Sequence, residues 1–345
     1  MMARALALAE KGLYTTTPNP RVGCVVARNE KVVAEGWHEK AGGPHAEVVA
    51  LGQAGAQAAG ATLYVNLEPC NHHGRTAPCV DLIQKNKISR VVAAMLDPNP
   101  QAARGGEALA AAGIRFENGL LEAEAKELNI GFVSRMTRKR PWVRMKIAAT
   151  LDGRTALANG KSQWITGAEA RKDGHRWRAR ACAILTGYGT IKADDPRLTV
   201  RDVETPRQPM RVIVDSRLET PATAKILQGG NVLLFSGMKG NVPAGAENIV
   251  LPNPQNKVQL PAMLEELARR GVNELHVEAG TRLNGSLLRE GCVDEFLIYL
   301  NPSFLGDAAQ GMFSIPEFSS LDERIKVKIG SMERIGDDIR ILARL

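Results

Sequence analysis

The chain has 345 residues, of which 44% are hydrophobic and 24% charged. That is an ordinary soluble composition and a length that favours two cores over one. No apolar run approaches the roughly eighteen residues of a membrane helix, and the N-terminus lacks the charged-then-apolar layout of a secretion signal, so a cytoplasmic protein without a membrane partner is expected. A net charge of +8 admits nucleic acid or phosphorylated metabolites, but an aromatic content of 4% offers few stacking platforms for bases. Small phosphate-bearing substrates are therefore favoured and nucleic acid is not expected.

Helical and strand patterns alternate throughout, so the class is α/β. A helix ending near Gly12 precedes strands at 22–27 and 31–36. A helix then starts at His45, a strand covers 62–66, and a cysteine loop opens into a helix near Cys79. A strand at 90–95 closes this half before two further helical segments. The basic run from Arg135 to Arg140, ahead of Pro141, reads as a solvated linker and marks a boundary between domains at 1–140 and 141–345.

Beyond it a strand at 142–148 begins a new pattern, with β-branched runs at 183–186, 211–215, 232–235 and 274–277. Strands at 295–300, 325–329 and 339–342 finish the chain, giving a mixed, largely parallel sheet with flanking helices. Three strand ends are rich in glycine and polar residues: Gly187–Thr190, Asp215–Arg217, and the turn from Glu278 through Gly280, Thr281, Arg282, Leu283, Asn284 and Gly285 to Ser286. Ligands of open α/β sheets gather at such carboxyl ends, and exposed N–H groups there suit a phosphate. No G-x-G-x-x-G follows a strand, so a nicotinamide cofactor would need another scaffold. Lys146 lies in a buried-looking strand, or is an edge lysine whose stem snorkels to water.

The sharpest chemical signal is His45-Ala46-Glu47, then Pro69-Cys70, then Cys79 after eight intervening residues. A zinc deaminase needs three protein ligands, an open position for water, and a nearby carboxylate that is not a ligand. His45, Cys70 and Cys79 supply the ligands and Glu47 the proton carrier. The long cysteine gap is irregular, since the general signature has two residues there. The rival readings are a closed structural zinc site completed by His72 or His73, and cysteines that are only buried thiols. Cys24, Cys182 and Cys292 read as small core residues, and a disulfide framework is not expected.

These pieces resemble the bifunctional deaminase/reductase family of riboflavin biosynthesis, over nearly the whole chain. The resemblance is carried by Pro18-Asn19-Pro20-Arg21-Val22-Gly23-Cys24, His45-Ala46-Glu47 and Leu67-Glu68-Pro69-Cys70-Asn71-His72-His73-Gly74-Arg75-Thr76-Ala77-Pro78-Cys79. In the second half it rests on Leu151-Asp152-Gly153-Arg154, Ser162-Gln163-Trp164-Ile165-Thr166, Ala193-Asp194-Asp195-Pro196 and Val277-Glu278-Ala279-Gly280. The long cysteine spacing is normal in this family, which usually has proline where Ala77 stands.

The resemblance implies an N-terminal cytidine-deaminase-like domain followed by a C-terminal dihydrofolate-reductase-like domain, with Zn2+ and NADPH as cofactors. It implies a phosphoribosyl pyrimidine as the small-molecule substrate and a homo-oligomer, dimer or tetramer. By matching position it makes His45, Cys70 and Cys79 zinc ligands and Glu47 the proton shuttle, with Asn19, His38, His72 and Arg75 in the deaminase pocket. Ala148, Trp164, Thr190, Asp194, Ser216 and the Gly280–Ser286 turn match cofactor-contacting positions. Ser162, Arg178, Leu198, Arg201 and Glu278 match substrate-contacting ones, and Lys146 and Glu278 are candidates for polarising the acceptor. The runner-up is a zinc-dependent nucleoside or nucleic-acid deaminase with an accessory C-terminal domain, whose metal chemistry would be the same.

Overall fold

The computed structural model describes residues 1–72 and 77–345. The chain divides into two compact units, Met1–Lys139 and Arg140–Leu345. No helix among the described residues is long and apolar enough to cross a membrane.

The first unit runs α1 (Met2–Glu10), β1 (Gly23–Arg28), β2 (Lys31–Trp37), α2 (Ala46–Ala54), β3 (Thr62–Leu67), α3 (Cys79–Lys85), β4 (Arg90–Met95), α4 (Gly105–Ala111), β5 (Arg115–Asn118), α5 (Glu122–Leu128) and α6 (Ile130–Arg138). Its sheet has the order β2-β1-β3-β4-β5. The β2-β1-β3 pairs are antiparallel and the β3-β4-β5 pairs parallel. Successive strand residues face opposite sides, and both sides are buried. Cys24, Val26, Leu63, Val65, Val91 and Ala93 pack in one apolar cluster with residues of α2, α3 and α4. Val25, Val92 and Ala94 pack in the other with α1, α5 and α6. Gly36 lets α2 approach closely, because a Cβ there would stand 2.6 Å from the Ala46 carbonyl oxygen.

Two expectations are corrected in this unit. Three helices and the strand β5 follow β4, which is not the closing strand. β5 is a four-residue edge with half-buried and exposed positions and no period-two signal. The basic run is not a solvated linker throughout, for Arg135 and Arg138 lie in the last turn of α6. There Arg138 donates to Ser134 Oγ at 2.7 Å and Arg135 to the Pro18 carbonyl at 3.0 Å, at a helix end that favours cations.

The second unit runs β6 (Trp142–Thr150), β7 (Arg154–Ala156), α7 (Ala168–Arg180), β8 (Ala183–Gly187), α8 (Tyr188–Asp194), β9 (Met210–Val214), β10 (Val232–Ser236), β11 (Ala246–Val250), α9 (Leu260–Arg269), β12 (Glu274–Val277), α10 (Thr281–Arg289), β13 (Glu295–Asn301), β14 (Gln310–Gly311), β15 (Lys328–Ile335) and β16 (Asp338–Arg344). The main sheet has the order β11-β10-β9-β8-β12-β6-β13-β16-β15, and β14 pairs with β7 apart from it. Pairing is parallel from β11 to β13 and antiparallel through β16 to β15. The strand expected at 325–329 begins only at Lys328, and β7, β11 and β14 were not legible. Lys146 is no edge lysine, since β6 lies between β12 and β13.

One face of this sheet buries charge. Arg144 of β6, 2% exposed, donates to Glu274 at 3.0 Å and to Glu295 at 2.5 Å. It also lies 4.5 Å from the ring centroid of Trp177 in α7. Buried carboxylates deprived of a partner are costly. Arg144→Ala is therefore expected to lower the stability of the second unit by about 3–5 kcal/mol. Hydrogen exchange of the β6 and β12 amides reads this out, and unchanged protection would refute it.

Candidate active sites

In the first unit the parallel strand β3 ends at Leu67, and Glu68-Pro69-Cys70 continues over the sheet edge. Cys79 opens α3 and His45 caps α2. Their three ligand atoms all lie within 4.8 Å of one another. His45 Nδ1 stands 3.3 Å from Cys79 Sγ and 3.6 Å from Cys70 Sγ. A tetrahedral zinc with bonds of about 2.0–2.3 Å sets its ligands roughly 3.3–3.8 Å apart, so this donor set fits the ion. Cys79 N donates to Cys70 Sγ at 3.4 Å, and hydrogen bonds from Cys79 and His45 hold the Cys70 thiol low, toward thiolate. His72 is not in the cluster, while His73 and Arg75 lie outside the described residues.

Glu47, 4% exposed, follows in the first turn of α2. Burial, and then the neighbouring Cys70, push its carboxyl up to about 6. It is thus a carboxyl within the site whose raised affinity for protons suits exchange near neutral pH, and it hydrogen-bonds Cys79. His38 packs edge-on against the His45 ring at 5.8 Å between centroids. It donates from Nδ1 to the Pro44 carbonyl at 2.8 Å, leaving Nε2 to accept from Asn19 at 3.0 Å.

Sequence reasoning missed how the cysteine loop is held. The Glu68 carboxylate accepts from the amides of Gly106 at 2.8 Å and Asp97 at 3.0 Å, tying β3 to the segment after β4. Glu68 stands in the recognised motif, but its partners are far along the chain and give no local signal. Gly105 abuts Pro69 so closely that a Cβ would fall 1.9 Å from the Pro69 carbonyl oxygen.

In the second unit β9, β8, β12 and β6 are adjacent and parallel, so the three glycine-rich ends lie along one edge. Gly187 sits between two of them: a Cβ there would stand 3.0 Å from Leu283 and 3.8 Å from the Val214 carbonyl. A Cβ on Gly280 would lie 3.7 Å from Thr190 Oγ1. Residues 281–286 are the first turns of α10, capped by Gly280, rather than a loop. Gly285 packs on the Ser314 carbonyl and Asn284 is buried, while Gly280 lies beside Thr190 and Leu283 beside Gly187 at the glycine-lined edge. Ser162 hydrogen-bonds Asp194, and the Ser216 hydroxyl accepts from Val258 N at 3.2 Å.

Arg178 and Glu278 form a paired contact, with Arg178 Nη2 donating to Glu278 Oε2 at 2.8 Å, and Arg178 also donates to the Thr199 carbonyl at 3.1 Å. Burial pushes the Glu278 carboxyl up, but the Arg178 guanidinium outweighs it and holds the group well below the usual carboxylate range. Burial lowers the Lys146 ammonium, opposed by Glu278. Arg201 N donates to His175 Nδ1 at 3.2 Å, and its own side chain is exposed. Leu198 is 4% exposed in the apolar cluster of Ile184, Ile191 and Ile213, so contact with a ligand would fall to its backbone. Trp164 is 69% exposed, with Arg171 4.7 Å from its ring centroid. Ala148 pairs with Tyr299 in the register of β6 and β13. His276, Asp173 and Tyr299, unremarked in the sequence, join this polar layer.

Two family models match the chain: the RibD C-terminal domain over residues 141–341, and the cytidine and deoxycytidylate deaminase zinc-binding region over residues 1–95. Riboflavin biosynthesis protein RibD of Haemophilus influenzae is 45% identical across 99% of this chain and 95% of its own length. The chain belongs to the RibD family. A solved structure of Acinetobacter baumannii RibD superposes with a TM-score of 0.93 at 41% identity, covering 99% of this chain and 97% of that one. A Thermotoga maritima structure described as a diaminohydroxyphosphoribosylaminopyrimidine deaminase/5-amino-6-(5-phosphoribosylamino)uracil reductase gives a TM-score of 0.91 at 34% identity, covering 99% and 97%.

Membership in the RibD family makes this a bifunctional riboflavin-biosynthesis enzyme with a deaminase and a reductase domain, whose cofactors are zinc and NADPH. The nucleic-acid deaminase with an accessory domain is set aside, because the second unit itself matches the RibD reductase. Gly105→Ala is expected to displace Pro69 and with it Cys70, weakening zinc retention at least about tenfold against a competing chelator. Gly52→Ala, where a Cβ meets nothing within 4 Å, serves as the control, and equal retention in both would refute the constraint.

Proposed function

We propose that residues 1–140 deaminate 2,5-diamino-6-(5-phosphoribosylamino)pyrimidin-4(3H)-one and that residues 141–345 reduce the ribosyl group of the product with NADPH. The final product is 5-amino-6-(5-phosphoribitylamino)uracil. The observation that carries the first half is the convergence of His45, Cys70 and Cys79 with a buried carboxyl, Glu47, two residues beyond the histidine. His45, Cys70 and Cys79 hold the metal in this reading, and zinc, when bound, makes water nucleophilic at neutral pH. Glu47 takes one proton from the attacking water and delivers it to the ring nitrogen; it then takes the second from the hydroxyl added to the ring carbon and passes it to the amino group, whose C–N bond breaks to release ammonia. A carboxyl poised near 6 suits both halves of that task. Asn19 and His38, joined by a hydrogen bond beside His45, line the pyrimidine pocket.

In the reductase, NADPH supplies reducing equivalents to the first carbon of the open-chain sugar. Ala148, Trp164, Thr190, Asp194, Ser216 and the start of α10 hold the cofactor. Ser162, Arg178, Leu198, Arg201 and Glu278 hold the substrate, with Arg178 or Arg201 giving the sugar phosphate a guanidinium partner. Lys146 and Glu278 polarise the acceptor or relay its proton. The support is their common position where β6, β8 and β12 end side by side.

The location in this reading is cytoplasmic, in keeping with five free cysteines. The assembly is a homo-oligomer, dimer or tetramer. Its support is the outermost strand β15, whose Ile329 and Met332 are 57% and 65% exposed on an unpaired sheet edge.

Two tests follow from these assignments. Glu47→Gln is expected to retain zinc but lose at least about 100-fold in ammonia release, while reduction of the pre-deaminated uracil substrate continues at the normal rate. Normal deamination by this variant would remove Glu47 from the mechanism. Met332→Lys is expected to shift the particle to monomer by light scattering, and an unchanged mass would exclude β15 as the contact.

A further inference from the structure

His276 is fully buried on β12; among the described residues its Nδ1 has no hydrogen-bond partner, and its Nε2 makes only a poorly aligned approach to Glu278. Its Nε2 stands 3.3 Å from Glu278 Oε1, a carboxylate already committed to Arg178 through both of its oxygens. Burial lowers the His276 pKa, opposed by Glu278, and a neutral imidazole has one N–H to give. An unpaired buried N–H is costly, and a carboxylate beside it is the natural acceptor. The Glu278 backbone is fixed at both ends of its peptide, its N–H donating to the Leu185 carbonyl at 2.9 Å and its carbonyl accepting from Thr186 Oγ1 at 2.7 Å. Only the side chain is left to turn.

We propose that His276 is a positioning residue that takes over Glu278 when substrate binding draws Arg178 away. The inference rests on the reductase reading, in which Arg178 and Glu278 both meet the substrate. In the free enzyme these two groups satisfy each other, so a substrate phosphate or hydroxyl that recruits Arg178 leaves a buried carboxylate uncompensated. A turn of the Glu278 side chain toward Nε2–H replaces the lost contact with a charge-assisted hydrogen bond. Glu278 stays ionised and oriented, and Arg178 is released to the anion. Lys146, whose ammonium also feels the Glu278 charge, keeps its counter-ion through the exchange.

The test is steady-state reduction by the full-length enzyme, with 5-amino-6-(5-phosphoribosylamino)uracil and NADPH varied separately. His276→Leu removes the donor and is expected to raise KM for the pyrimidine substrate roughly 10- to 100-fold, the range for losing a hydrogen bond to a charged group. The KM for NADPH and kcat are expected to change less than about threefold. His276→Gln retains an N–H donor and is expected to recover most of the affinity. Equal impairment of the two variants would assign His276 a packing role only, and an unchanged KM in His276→Leu would sink the exchange outright. If His276→Leu fails to fold, the Gln variant decides alone: a substrate KM within about threefold of wild type supports the proposal, and a larger rise overturns it. Wild-type enzyme that reduces nothing under these conditions would instead refute the reductase reading.

Discussion

Parallel pairing constrains both units in the same way: it brings the carboxyl ends of adjacent strands to one edge, where the chain must leave the sheet and expose polar backbone. In the first unit β3 and β4 run parallel. Cys70 follows the first of them, and Asp97, whose amide reaches Glu68, follows the second. In the second unit β9, β8, β12 and β6 end together. Thr190, Ser216, Glu278 and the start of α10 all descend from those ends. The helix N-termini that begin there favour thiolates and anions. One geometric rule thus serves the cysteine-rich cluster of the first unit and the polar, glycine-lined edge of the second.

The zinc motif was legible because its chemistry admits few substitutes. A histidine capping α2 and a glutamate in its first turn sit close in sequence, and each residue type is required by the reaction. The irregular gap between Cys70 and Cys79 closes because Val80 N donates to the Cys70 carbonyl at 3.3 Å and Cys79 N to the Cys70 sulfur. Strand positions were legible where apolar residues ran continuously, as in Ala183–Leu185 of β8 and Val232–Phe235 of β10. The edge strand β5 was not, because four residues carrying two charges have neither period nor burial.

The buried polar layer of the second unit was hidden for a different reason. Glu274, His276 and Glu278 alternate with Leu275 and Val277, a pattern that ordinarily marks a strand with one face in water. Here α7 covers that face, and α7 is itself polar, with Asp173, His175, Arg178 and Arg180 turned inward. Two polar surfaces each read as solvent-facing from their own sequence. Only their pairing across the interface, Arg178 with Glu278, Arg180 with Glu274 and Tyr299 with Asp173, shows that they form an interior.

Such an interior is a weak source of stability, since desolvating each charge offsets much of its attraction. It does fix geometry. Asp173 accepts from Tyr299 at 2.7 Å and from Arg340 at 2.9 Å, and the Tyr299 ring lies 6.0 Å from the Lys146 ammonium. Lys146 thus has the Tyr299 ring and the Glu278 charge in its surroundings. Lys146, Arg178 and Arg201 bring three cations to this end of the sheet, against the carboxylates of Glu278 and Asp202. In the proposed reductase reading, an anionic sugar phosphate would offset that excess of positive charge.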